Sequence, residues 1–332
     1  MVMYDADCRD RVLAAFAGER LARPLMSLWR HWPQDDQDPA RLAVAHTAFQ
    51  AQHQFDFVKF MPSSTDCLED WGATTTFAGD PHGTRAVVSR AIRAPQDWSE
   101  LHPLDFTRAR TGCQFDALKR LRLAIGPHTP ILQTVFTPLS IARRLGGDLL
   151  RLHMRTHPSA VQAGLRRIAE DMCRFVDLTF DAGADGLFVV TQAATADLVS
   201  ADEHRAWTAP GDRQVIETAR SRTPLIVVHA HGSRIHWEDL FGYRAPALNW
   251  HDRAVGPSIA EVATRFGGLL IGGIDEWGAL MSGPTAVIRD EIADARTQAG
   301  HRALCVAAGC VIGYRTPERN IRAARTAVSQ GG

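Results

Sequence analysis

Short apolar runs recur along this chain, each stopping at a polar or small residue and each followed by a segment with helical spacing. Pro130–Phe136, Gly186–Val190, Leu225–His229, Ala247–Trp250, Gly268–Gly272 and Ala303–Ala307 are the clearest of them. They are rich in β-branched residues and too short for helices, which marks them as strands buried on both faces. Between them lie helical patterns such as Phe106–Leu123, Pro158–Asp181, Pro284–Ala299 and Thr316–Val328. Strands and helices in alternation require a parallel sheet, because parallel neighbours need crossover connections.

Earlier runs at Pro24–Trp29 and Phe55–Phe60 bring the count to about eight βα units, the number that closes a barrel. The predicted fold is therefore α/β, one (β/α)8 barrel domain spanning residues 1–332. A helical extension, Asp7–Glu19, precedes it, and an irregular insertion over 61–100 interrupts it. So long a loop covers a site or is built from small excursions. A doubly wound open sheet is the alternative, but no GxGxxG or GxxxxGK[ST] segment supports its nucleotide-binding forms.

The formal net charge is zero, which gives no reason to expect nucleic acid or an anionic membrane as a partner. No run reaches the ~18 apolar residues of a membrane span, and Met1–Asp7 lacks signal-peptide character. The cysteines at 8, 67, 113, 173, 305 and 310 form no CxxC pair. That pattern suits a reducing, cytoplasmic setting. Oligomeric state stays open.

In a barrel of this kind chemistry sits at the C-terminal ends of the strands. Those ends carry Arg30 and His31, Lys59, Phe136, Gln192, His229 and His231, Asn249, Asp275, and Cys310. His229 and His231 share one face of their strand, ~6–7 Å apart along it, so the imidazoles can converge on one ion. With Cys310 they make an N/N/S set suited to Zn²⁺, one per chain, with a fourth position for water, Asp275 or a residue of the insertion. Such an ion can lower a thiol's pKa, polarise a carboxylate or ready a water. Asp275 and Gln192 are supporting catalytic candidates, and Arg30 or Lys59 would engage an anionic end of a small substrate. Trp29, Phe136, Asn249 and Trp277 are candidate substrate-binding residues. Each of these residues also has a plain structural reading: an ion pair for Arg30, a turn or N-cap for Asp275, packing for the tryptophans.

Four segments, taken in order, resemble the uroporphyrinogen decarboxylase superfamily. Phe136-Thr137-Pro138-Leu139-Ser140 is similar to its PFT segment, and His229-Ala230-His231-Gly232 to the His-x-Cys-Gly of its methyltransferases. Gly273-Ile274-Asp275 and Gly309-Cys310-Val311-Ile312, the latter followed by Thr316-Pro317-Glu318, resemble its later motifs. The resemblance implies a (β/α)8 barrel. It favours the zinc methyltransferase branch, which moves methyl groups between corrinoid proteins and thiols, because Arg30 lacks the second arginine of true decarboxylases and Cys310 replaces their histidine. Histidine at 231 departs from that branch's cysteine and gives a less thiolate-rich set. The reaction implied is methyl transfer between a donor and a small thiol, with any corrinoid carried by a partner protein, since no DxHxxG segment is present. The rivals are a metal-independent decarboxylase using Arg30 and Asp275, and a non-catalytic corrinoid-handling protein.

Overall fold

A computed structural model describes residues 8–330; the sequence reading of Met1–Asp7, including the first residue of the expected helix Asp7–Glu19, lies outside them. Ten strands are found among the described residues: β1 Leu25–Met26, β2 Val58–Phe60, β3 Thr74–Thr76, β4 Ala86–Ser89, β5 Ile131–Phe136, β6 Gly186–Thr191, β7 Ile226–Ala230, β8 Ala247–Trp250, β9 Leu269–Ile274 and β10 Leu304–Ala308. Eight of them form one sheet in the order β1-β10-β9-β8-β7-β6-β5-β2, with every pairing parallel. The end strands meet through Asp56 N–H donating to Met26 O (2.9 Å), Met26 N–H to Asp56 Oδ2 (2.8 Å) and Ser27 Oγ to Phe57 O (2.9 Å). This seam closes the sheet into a (β/α)8 barrel.

Strand alternation divides the core. Phe57, Leu132, Phe188, Val227, Ala247, Leu269, Ile271 and Cys305 fill the barrel interior, while Val58, Phe60, Val189, Val228, Leu270 and Val306 face the surrounding helices. Each such Val, Leu, Ile or Phe side chain contributes roughly 1.5–3 kcal/mol by leaving water. Helix Cys8–Phe16 is the N-terminal extension. Its Val12, Ala15 and Phe16 join the interior cluster with Leu25 and Phe57, so it plugs the end of the barrel where the strands begin.

Several boundaries differ from the sequence reading. The first strand shrinks from Pro24–Trp29 to Leu25–Met26, because only those residues ladder with Cys305 and Val306. The insertion is not irregular: it holds helix Asp66–Asp70, the antiparallel hairpin β3–β4 and a 3₁₀ turn, Pro95–Trp98. A helical turn at Ala201–Glu203 passes through a π turn, His204–Thr208, and continues as Ala209–Arg220. Helix Leu149–Thr156 was not foreseen. The long helix Pro158–Asp181 and strand Ala247–Trp250 have the expected bounds. Helix Pro39–His53 starts at its proline because Asp38 caps it, accepting from the Ala40 and Arg41 N–H groups. No helix among the described residues is long and apolar enough to cross a membrane.

Candidate metal centre

The inward register that carries Val227 into the core continues to His229 at the C-terminal end of β7. His231 N–H donates to Thr191 O (3.0 Å), extending the ladder past the strand and keeping the second imidazole on the same side. On the neighbouring strand Asn249 faces inward opposite His229, and two residues on comes His251. Cys310 follows β10 through Gly309. A Cβ at Gly309 would lie 2.8 Å from His251 Cα, so only glycine lets the two segments approach.

These turns bring His229, His231, His251 and Cys310 together, one ligand atom from each lying within 4.8 Å of the others. Cys310 Sγ is 3.7 Å from His229 Nε2 and 3.8 Å from His231 Nδ1, and His251 Nε2 is 3.2 Å from His231 Nδ1. Tetrahedral coordination with metal–ligand bonds of about 2.0–2.3 Å gives ligand separations of roughly 3.3–3.8 Å. The three separations given lie close to that range, as binding of one tetrahedral ion would require. The outer nitrogens also have partners: His229 Nδ1 lies 2.6 Å from Asn249 Oδ1, and His251 Nδ1 lies 3.4 Å from the buried Glu276.

The electrostatics favour neutral imidazoles. Burial pushes His229 well below its ordinary pKa, helped by Lys59, His231 and His251, and brings His231 to about 4 with His251 next in importance. Burial also raises the Cys310 thiol to about 11, partly offset by Lys59. The thiol therefore keeps its proton at neutral pH unless a cation replaces it.

Above this cluster opens a cavity of about 370 Å³. His229, His231, Cys310, Lys59, Phe136 and Gln192 line it, so the structure brings these sequence candidates together. Met61, Ser64, His82, Thr84 and Arg85 from the insertion line it too, with His31 and Arg144. No Asp or Glu does, among the described residues. Lys59 is buried, and its ammonium sits 3.8 Å from the Phe188 ring centroid and 4.8 Å from that of Trp29. Burial brings its pKa down to about 7. Arg85 is paired with Asp36 (2.6 Å), and Arg144 donates to Ser64 O and lies over the Phe136 ring.

Other candidates lie elsewhere. Arg30 faces the aromatic rings of Trp32 and Phe49 and pairs with Glu318 at 3.8 Å. Asp275 accepts from the Trp277 and Gly278 N–H groups (3.0 and 2.9 Å), a turn-capping arrangement outside the cavity. Trp277 packs on His82 at 4.3 Å, Trp29 is buried beneath Lys59 against Phe188, and Asn249 is wholly enclosed. Beside His229, His231 and Cys310 the structure places His251 as a further possible donor, a residue that the sequence reading did not name. Its signal was present: counting two on from Asn249 along the inward register reaches it.

Comparison with known proteins agrees with this architecture. Methylcobamide:CoM methyltransferase MtbA of Methanosarcina acetivorans is 21% identical over 203 residues, 61% of this chain and 60% of its own length. Its namesake in Methanosarcina mazei is 21% identical over 202 residues, 61% of this chain and 59% of its own. The chain thus matches about three-fifths of these relatives' length. A solved methyltransferase from Methanosarcina mazei superposes with a TM-score of 0.84 at 19% identity, covering 97% of this chain and 98% of the other. A B12-independent methionine synthase from Shewanella sp. W3-18-1 gives 0.56 at 16% identity, covering 94% of each. The family model for uroporphyrinogen decarboxylase matches residues 9–331, nearly the whole chain, and the protein belongs to that family.

Proposed function

We propose that this protein is a zinc-dependent methyltransferase that moves a methyl group between a methyl-corrinoid carried by a partner protein and a small thiol with an anionic end. The observation that carries the reading is the His229, His231, His251 and Cys310 cluster, its ligand atoms within 4.8 Å of one another and three of its members lining a cavity with Lys59, Arg85 and Arg144 and, among the described residues, no carboxylate. The names of the Methanosarcina relatives support the reaction class.

These four residues would hold zinc, and a thiol that enters from the cavity as a further ligand, or in exchange for one of the four, would have its pKa lowered and stay nucleophilic at neutral pH. The chain's own residues do the rest. Lys59 and Arg144 attract and orient the anionic end of the acceptor, and Gln192 offers an amide to its polar groups. Phe136, Met61 and Val190 give the cavity apolar wall, which keeps water from competing for the methyl group. The hairpin β3–β4 contributes His82, Thr84 and Arg85 to the lining, where the corrinoid partner would approach. A cytoplasmic setting accords with six cysteines that form no disulfide among the described residues.

The metal-independent decarboxylase loses support because Arg30 and Asp275, the residues it needs, both lie outside the cavity. The test is direct. Zinc-loaded protein is mixed with methylcobalamin and a panel of anionic thiols, CoM among them, and loss of the methyl-corrinoid is followed by absorbance and methyl-thioether by mass spectrometry. Thiol-dependent turnover that vanishes in Cys310→Ala upholds the reading. Turnover unchanged in Cys310→Ala, or carbon dioxide release from carboxylate substrates without metal, defeats it.

A further inference from the structure

Asn249 stands among the sequence candidates for substrate binding, yet it is wholly buried and does not line the cavity. Its hydrogen bonds point to another role. The amide nitrogen donates to Ile271 O (3.0 Å) and to Ala308 O (3.1 Å). Backbone carbonyls only accept, so both contacts require the NH₂ group, and the orientation of the side chain is settled. The amide oxygen must then face His229, whose Nδ1 lies 2.6 Å away. An oxygen with no proton of its own can only accept, so Nδ1 must carry the hydrogen. With the hydrogen held on Nδ1, Nε2 is the ring nitrogen left to act as a ligand. Nε2 is the atom that faces Cys310 Sγ at 3.7 Å.

We infer that Asn249 is a positioning residue that locks His229 in the Nδ1–H tautomer and thereby presents its Nε2 lone pair to the metal position. Imidazole in water favours the opposite tautomer, so the centre would otherwise have to move a proton before it could bind. The same residue also fixes distances. Asn249 lies in register with His229 on β7 and Ile271 on β9, and Ala308 ends β10 two residues before Cys310. One amide therefore ties together the four strands whose ends carry or flank the ligands. His251 Nδ1 has Glu276 in the comparable position, but that residue is a carboxylate and its contact is longer, at 3.4 Å. Asn249 is the tighter of the two constraints and the one whose geometry admits a single proton arrangement.

This inference rests on the metal-centre reading of the site, and the experiment separates the two. Long-range ¹H–¹⁵N spectra of metal-free, histidine-labelled protein report the tautomer of His229 directly, and chelator competition reports zinc affinity. The wild type should show Nδ1–H at His229. Asn249→Ala should lose that signature and bind zinc about 10- to 100-fold more weakly, as for loss of other supporting partners of metal-ligating histidines. Asn249→Asp keeps an accepting oxygen while opposing the two carbonyls, so it should retain the tautomer and near-wild-type zinc affinity in spite of a lower melting temperature. A residue that merely supported packing would make both variants alike. Nε2–H at His229 in the wild type, or an unchanged tautomer in Asn249→Ala, overturns the inference, and the first of these needs no variant to fold. A tautomer that shifts as expected in protein that binds no zinc upholds the role of Asn249 and defeats the zinc reading instead.

Discussion

Zinc should stabilise this protein, by an amount that its ligand set makes calculable. A ligand that binds only the folded state, at about 100 times its dissociation constant, adds about 2.7 kcal/mol. Unfolding entropy of about 2.1 cal/mol/K per residue over 332 residues is about 0.7 kcal/mol/K. The melting temperature of metal-free protein should therefore rise by about 4 °C when zinc reaches that ratio. A ligand loss that weakens affinity 100-fold leaves about 0.4 kcal/mol at the same zinc concentration, a rise under about 1 °C. Cys310→Ala removes the cluster's sulfur donor and His231→Ala a donor that lies within 3.8 Å of both Cys310 and His251, so each should fall to that level. His251→Ala keeps three donors, two of them on β7 and its extension, and should give an intermediate rise. Differential scanning fluorimetry on chelator-treated protein, with elemental analysis of the same samples, makes the measurement. An equal rise in the wild type and in a His229→Ala, Cys310→Ala double variant would refute the reasoning, as would a wild type that zinc does not stabilise.

Three further outcomes follow from buried charge. Lys59 has aromatic rings and the Cys310 thiol for neighbours, so Lys59→Met should stabilise the metal-free chain by on the order of 1–3 kcal/mol while raising KM for an anionic acceptor; thermal melts and steady-state kinetics on one preparation check both. Asp56 is buried at the barrel seam, where it takes Arg11 (2.7 Å), Arg23 (3.0 Å), Arg325 (3.8 Å) and the Met26 N–H. Asp56→Ala should cost about 3–5 kcal/mol in urea unfolding, because the arginines are left without their counter-charge; a loss below about 1 kcal/mol would contradict this account of the seam. Burial raises Asp212 to about 7, against the hydroxyls of Thr137, Thr191 and Tyr243, with His204 and Asp239 behind Tyr243. The folded state then holds a proton that the unfolded chain releases near its ordinary pKa of ~3.9, so this group's contribution to stability falls as pH rises from about 4 to 7. Asp212→Asn should gain on the wild type by on the order of 2–4 kcal/mol across that window, and parallel stability curves for the two proteins would count against it.

The barrel was legible in the sequence because it rests on short-range patterns. A strand buried on both faces must be continuously apolar, and Leu225–Val228 and Leu269–Ile271 carry that pattern without interruption. The long helix Pro158–Asp181 announces itself by its apolar spacing and the proline at its start. The insertion was obscure for the opposite reason. In the hairpin β3–β4 the strand residues are half-buried or exposed, so hydrophobicity marks no face, and helix Asp66–Asp70 is a single turn set by tertiary contacts.

The site divides along the same line. His229 and His231 could be paired from sequence because two residues on one strand share a face whatever the rest of the chain does. Cys310 could be joined to them once the strand ends were known to meet at one rim. Arg30 and Asp275 occupy strand ends as well, and residue type gives no means of telling a side chain that enters the cavity from one that turns back. The determining facts are long-range: Glu318, on the C-terminal helix, draws Arg30 away, and the turn at Trp277–Gly278 offers Asp275 two N–H groups that no open cavity can match. Asn249 shows the converse. Its place at a strand end suggested contact with substrate, whereas carbonyls from β9 and β10, Ile271 and Ala308, fix its amide and make it a support for His229. Strand-end position thus selects which residues can reach the cluster, and the hydrogen bonds arriving from other strands decide which side chains face it, which support those and which close a turn.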